Sequence, residues 1–137
     1  MKPVVQKVVA GGILLHEGKI LIVQRSADDT YPGLWEVPSG KKEELEQIET
    51  TIKREFKEEA GIEIEPVKPL SVFNFKVEKD SEIRDATQIN FLVKAVESVR
   101  VKLSSEHQNS AWVTETEIDN YEISPETKQA LHMAFKA

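Results

Sequence analysis

The 137-residue chain contains no cysteine, which excludes disulfides, thiolate nucleophiles and thiolate-held zinc. Histidine is scarce as well. His16, His107 and His132 lie far apart and form no H-E-x-x-H pattern, so a zinc site is not expected. No apolar run approaches the roughly 18 residues of a membrane span. The opening "MKPVVQKVVAGGILL" is interrupted by Gln6 and Lys7, and its alternation suits a strand better than a signal peptide, so a cytoplasmic location is expected. Positive charge is also in deficit. A net charge of −6 and a pI near 5.2 argue against a nucleic-acid partner, which needs a basic footprint. A small anionic ligand remains compatible, provided that a cation mediates. Two nucleotide or catalytic motifs are missing too: "GGILLHEGKI" has the wrong glycine spacing for a phosphate loop, with Ile20 where Ser or Thr is needed, and no G-x-S-x-G occurs.

What is present reads as one soluble domain over residues 1–137, with 39% apolar and 31% charged residues. Two apolar runs flanking the turn signal His16-Glu17-Gly18-Lys19 predict a hairpin from Val4 to Val23. "SADDTYPGLWEVPSG" reads as loop with a short apolar piece, Leu34 to Val37. Leu45, Ile48, Ile52, Phe56 and Ala60 recur at helical spacing, and Gly61 is placed to stop that helix. "VKPLSVFNFKV" and "ATQINFLVKAV" predict strands, with "VRVKL" and "AWV" as shorter ones. Trp35 and Trp112 are expected in the core with some of Phe73, Phe75 and Phe91. Ser124-Pro125-Glu126 opens a final helix with an N-cap and a first-turn proline. The order predicts an α/β fold of the α+β type, a mixed sheet covered by helices.

"REFKEEAGI", residues 54–62, gathers Glu55, Glu58 and Glu59 on about one helical turn of an already acidic chain. Each like-charged pair costs roughly 0.2–0.5 kcal/mol on an exposed helix. With Glu55 at zero, the apolar stripe centres near about 80°, Glu59 near about 40° and Glu58 near about −60°. The acids flank the buried stripe, whereas Glu46, Lys53 and Lys57 fall on the far side. Ion pairs of Glu49 with Lys53 and of Arg54 with Glu58 would suit an ordinary solvated face. The wider spacing argues otherwise: Gly40, five residues, Glu46, seven residues, then Arg54-Glu55-Phe56-x-Glu58-Glu59-x-Gly61-Ile62. Chance would produce it with a probability on the order of 10⁻⁴ across the chain.

Residues 40–62, "GKKEELEQIETTIKREFKEEAGI", resemble the complete signature of the Nudix hydrolases, the MutT-like pyrophosphohydrolases. "ILIVQRS", "LWEVPSG" and "EHQNSAWVTETEI" are similar to that family's usual context. The resemblance implies a three-layer α/β/α sandwich and hydrolysis of a nucleoside diphosphate linked to another moiety, most plausibly a nucleoside triphosphate. It implies Mg2+ as cofactor, with Mn2+ as a substitute. It also implies that Glu58 and Glu59 are metal ligands, that Glu55 is a ligand or the base that deprotonates water, that Arg54 orients Glu55, and that Glu46 supports Arg54. The family's backbone carbonyl ligand falls on Ser39, where glycine is usual, and Gly40 permits close approach. Glu106, six residues before Trp112, corresponds to an additional acidic ligand or base, and Arg25 to an arginine that meets substrate phosphates. Hard divalent ions take oxygen ligands, and such an ion between the acids would offset their repulsion.

The rival from another class is a module that binds a nucleotide or ADP-ribose without turnover, though such modules are expected to lose box carboxylates, and all are retained here. A third reading is a merely structural charged helix. Where some MutT-like enzymes read oxidised guanine with an asparagine, this chain has Ile123 or Ser124, with Asn120 displaced, so that substrate is not expected. Oligomeric state is not legible.

Overall fold

The computed structural model describes residues 1–29 and 31–137. Strands β1 (Val4–His16) and β2 (Lys19–Arg25) form the expected hairpin. Glu17 and Gly18 close it with positive φ, 52° and 79°, as a tight turn between twisted strands requires. β3 (Trp35–Glu36) and β4 (Ser39–Lys41) follow, then α1 (Ile48–Ala60), β5 (Ile64–Glu78), β6 (Ile83–Ala95), β7 (His107–Val113), a 3-10 helix (Glu115–Asn120) and α2 (Pro125–Lys136). The sheet is mixed. Its path runs β3-β2-β1-β6-β5, with β4 added to β1 and β7 to β2, and β1 pairs β6 in parallel while its other pairings are antiparallel.

Alternation along the strands sends successive side chains to opposite faces, so the sheet feeds two cores. Leu14 and Leu21 join Ile52, Phe56 and Ala60 of α1 on one face. Ile13, Ile20 and Ile22 join Ile118 of the 3-10 helix and Ala130, Leu131 and Ala134 of α2 on the other. This is the three-layer α/β/α arrangement, a curled mixed sheet between helices. Ser124 caps α2, its hydroxyl accepting from the Thr127 N–H at 3.3 Å.

Four expectations are corrected. Leu45 is not part of the helical stripe: it has φ 62° and is 97% exposed, and α1 begins only at Ile48. Glu46 consequently does not project to a far helical face but sits in the preceding turn, folded back on α1. "VRVKL" is not a strand. Its backbone instead serves the end of α1, with the Lys102 N–H donating to the Ala60 carbonyl at 2.8 Å and the Ser104 N–H to that of Glu59 at 3.1 Å, carbonyls that a helix end leaves without partners. Finally, Trp35 belongs to the core only in part, packing against the second cluster from its margin. It is half-buried on a cleft, edge-on to Tyr121 at 5.0 Å, and Phe73 and Phe75 also line that cleft, while Phe91 is buried in the core. Lys53 pairs with Glu65 at 3.1 Å, so its partner lies across the fold on β5.

Candidate active site

Burial of the three helix acids follows their angular distance from the apolar stripe. Glu59, nearest to it, is 3% exposed. The Glu55 side chain is 14% exposed, and that of Glu58, farthest away, 58%. Gly61, at φ 72°, ends the helix, its N–H donating to the Lys57 carbonyl at 2.9 Å, a left-handed cap that glycine adopts without strain.

Glu55 is set in place by Arg54. The guanidinium reaches Glu55 Oε1 with Nη1 at 2.7 Å, despite being the adjacent residue, and grips both oxygens of Glu46 with Nε and Nη2 at 3.0 Å. Nη2 also donates to the Lys41 carbonyl at 3.1 Å. Such a two-pronged charge-assisted bond fixes the plane of the arginine. Glu46 is held in turn by the Glu43 N–H at 3.1 Å and the Thr51 hydroxyl at 2.8 Å. Arg54, with those bonds, pulls the Glu46 carboxyl down to about 2, and the arginine itself is held more firmly protonated. On the other side of Glu55 stands Gly40, whose missing Cβ would lie 1.9 Å from Glu55 Cδ.

Glu55 and Glu59 face a cavity of about 370 Å³ together with Ser39, Gly40, Glu106 and His107. The Ser39 N–H donates to Glu59 Oε1 at 3.3 Å, and Ser39 lies outside the positive-φ region, so serine in place of glycine costs nothing there. Burial, with the hydrogen bond and charge of Glu55, pushes the Glu59 carboxyl far above the ordinary carboxylate range. Two carboxyls packed this tightly call for a proton or a cation between them. Glu59, Glu106 and His107 each offer a ligand atom, all within 4.8 Å of one another. This donor set fits a divalent cation. Glu58 is not among the residues lining this cavity; its carboxylate lies 3.6 Å from Arg54 Nη1, on the exposed flank.

Arg25 also lines the cavity, but its guanidinium is engaged, with Nη1 donating to Glu36 at 3.1 Å and Nη2 to Asp29. Glu36 accepts on its other oxygen from His107 Nε2 at 2.9 Å. A second cleft, about 390 Å³, shares the wall of Arg25, Glu36, Ser39, Gly40 and Lys41, and continues past Tyr31, Trp35, Phe73 and Phe75 to Gln88 and Ser124.

The sequence model of the NUDIX domain matches residues 5–133. The chain belongs to that family. It is 27% identical over 136 residues to the nucleoside triphosphatase NudI of Escherichia coli, covering 93% of this chain and 96% of that protein. Among solved structures it resembles a MutT NUDIX hydrolase from Burkholderia pseudomallei, with TM-score 0.79, 25% identity and coverage of 94% and 98%. It also resembles the E. coli ORF135 protein, with TM-score 0.70, 28% identity and coverage of 100% and 93%. As a Nudix hydrolase it acts on phosphoanhydride bonds. Among the described residues, no helix is long and apolar enough to cross a membrane.

Of the residues singled out from sequence, the Nudix fold brings Arg25, Ser39, Gly40, Glu55, Glu59 and Glu106 to one cavity, with Arg54 and Glu46 behind Glu55. Sequence reading missed Glu36, Lys41 and His107. Lys41 follows Gly40 directly, the one local signal available. Glu36 and His107 are 71 residues apart and meet only because β3 and β7 both pair with β2.

Proposed function

We propose that this Nudix hydrolase cleaves a nucleoside triphosphate to the monophosphate and pyrophosphate, using Mg2+ with Mn2+ as a substitute. The observation that carries the reading is the pair of joined cavities. One is walled by carboxylates suited to a cation and a polyphosphate; the other is lined by Trp35, Tyr31, Phe73 and Phe75, with Gln88 and Ser124 as polar groups, and suits a nucleobase. Similarity to a nucleoside triphosphatase supports the choice of a triphosphate.

A bound divalent ion would neutralise charge on the phosphoryl oxygens and lower the pKa of attacking water. Glu55, Glu59, Glu106 and the Ser39 carbonyl are the residues that would hold it, and the exposed Glu58 could leave its ion pair with Arg54 to reach metal arriving with the substrate. Arg54 keeps Glu55 in one orientation, which removes the reorganisation that a free carboxylate would need. Glu55 and Glu106 face the cavity, and the one beside the attacking water takes its proton as the phosphoanhydride P–O bond breaks. Arg25 and Lys41, on the wall shared by both cavities, are placed to meet the phosphates between base and scissile bond.

The test is turnover of a nucleotide panel with magnesium, wild type against Glu59→Gln. A triphosphate should release pyrophosphate, and the variant should lose at least about 100-fold in kcat/KM, more than the loss of an outer support costs. If no nucleotide is turned over, or the variant equals wild type, the reading fails.

A further inference from the structure

His107 has no place among the acidic ligands that the Nudix signature implies, yet it is one of the most constrained side chains of the cavity. Its ring is 3% exposed. Nε2 meets Glu36 Oε2 at 2.9 Å, and Glu36 is anchored on its other oxygen by Arg25. A carboxylate only accepts, so the ring presents its hydrogen at Nε2 and a lone pair at Nδ1. That Nδ1 is buried without a hydrogen-bond partner among the described residues. It lies 3.8 Å from Glu59 Oε1, and Glu106 closes the group within 4.8 Å.

A buried nitrogen lone pair left open forfeits the hydrogen bond it would make in water with nothing in return. A carboxylate bonded to the opposite ring nitrogen is also the usual support of a metal-bound histidine, since it fixes the tautomer and raises the basicity of the ligating nitrogen. Donor atoms of one ion, each at about 2.0–2.2 Å from it, lie within about 4.4 Å of each other, as Nδ1 and Glu59 Oε1 do. We infer that His107 Nδ1 is a nitrogen ligand of the divalent cation bound by Glu59 and Glu106, held by Glu36, and that this tilts the site from Mg2+ toward Mn2+. Magnesium is hard and keeps oxygen and water ligands. Imidazole suits the transition ions, so a mixed nitrogen and oxygen set discriminates where a carboxylate cage does not.

The inference rests on the metal-dependent reading of this cavity, and its test needs no turnover. Nucleotide-free protein is titrated with Mn2+ and Mg2+ by calorimetry, and the Mn2+ complex is examined by pulsed EPR, with natural-abundance and 15N-histidine-labelled samples. Wild type should show a histidine nitrogen coupling that changes with the label, and should bind Mn2+ at least about 10-fold more tightly than Mg2+. In His107→Gln the coupling should vanish and Mn2+ affinity fall by about 10- to 100-fold, with a smaller loss for Mg2+. Should that variant fail to fold, the labelled wild type still decides. Bound manganese without nitrogen coupling overturns the inference and leaves the phosphoanhydride reading intact. Absence of divalent binding in any form overturns both.

Discussion

Gly40 and Glu55 occupy nearly the same space: a Cβ on the glycine would sit 1.9 Å from Glu55 Cδ and 2.2 Å from its Oε2. The obstacle is the Glu55 side chain as far back as Cγ, 2.4 Å away, and not backbone, so Gly40→Ala can be accommodated by swinging that side chain aside. The fold should survive, with a small shift in Tm. The carboxylate, however, is also tied to Arg54 at 2.7 Å, and displacement by about 1 Å within a positioned catalytic set costs on the order of 100-fold in rate. Gly40→Ala is therefore expected to lower kcat by about that factor, measured on the best nucleotide substrate, while a thermal melt stays close to wild type.

Glu46 makes a separate prediction about pH. Its carboxyl lies near about 2 in the folded protein, against an ordinary 4.5, chiefly because of the hydrogen bonds from Arg54 and the Glu43 N–H. A depressed folded value means stability that is fully present above 4.5 and lost as pH falls toward about 2. Glu46→Gln removes that contribution. The Tm gap between wild type and variant should be constant from pH 8 to about 5 and should close on further acidification. At neutral pH, loosening of Arg54 should lower kcat about 10-fold. No gap at neutral pH would show the pair to be energetically idle, and a gap that stays flat through pH 3 would show that it does not come from the depressed carboxyl.

Much of this arrangement was legible because it is local. Helical angles alone rank Glu59, Glu55 and Glu58 in their observed order of burial, and the hairpin, the Gly61 stop and the Ser124 cap follow from residue types with fixed backbone preferences. What stayed hidden depends on partners distant in sequence or on special backbone. Leu45 fits the apolar period, but its positive φ and the bonds that draw Glu46 back to Arg54 override that period. Residues 99–103 alternate like a strand, yet the N–H groups of Lys102 and of Ser104 just beyond them go to the last carbonyls of α1. His107 and Glu36 carry no mutual signal, since only the pairing of β3 and β7 with β2 joins them.

Gly61 should be a costly position for even the smallest substitution, although it lies outside the cavity. At φ 72° a β-carbon is strained by itself, and an added one would lie 2.9 Å from Lys102 Cβ and 3.1 Å from the Lys102 carbonyl oxygen. That carbonyl belongs to the segment that caps α1, so it cannot retreat without loosening the Lys102 bond to Ala60. Gly61→Ala should destabilise by about 1–3 kcal/mol, a Tm loss of roughly 3–10 °C. Because Glu59 shares that last turn, metal affinity should fall with it. A melt indistinguishable from wild type would show that the helix end can relax freely.

Glu59→Gln separates what the acid cluster does for folding from what it does for metal. In the metal-free protein the Glu59 carboxyl is buried against Glu55, and both burial and that neighbour favour its uncharged form. Glutamine has nearly the same shape and no charge to desolvate, so in EDTA at pH 7 the variant should melt at the wild-type temperature or above it. Saturating metal should reverse the order. A ligand at 100 times its Kd stabilises the native state by about 2.7 kcal/mol, which for a chain of this size is a Tm rise of several degrees. Wild type should gain that rise with Mn2+ or Mg2+, and the variant should lose most of it, because the replaced oxygen carries the charge on which a hard cation depends. Equal metal-induced shifts in the two proteins would place the cation elsewhere, and a variant that unfolds in EDTA would make Glu59 a structural carboxylate.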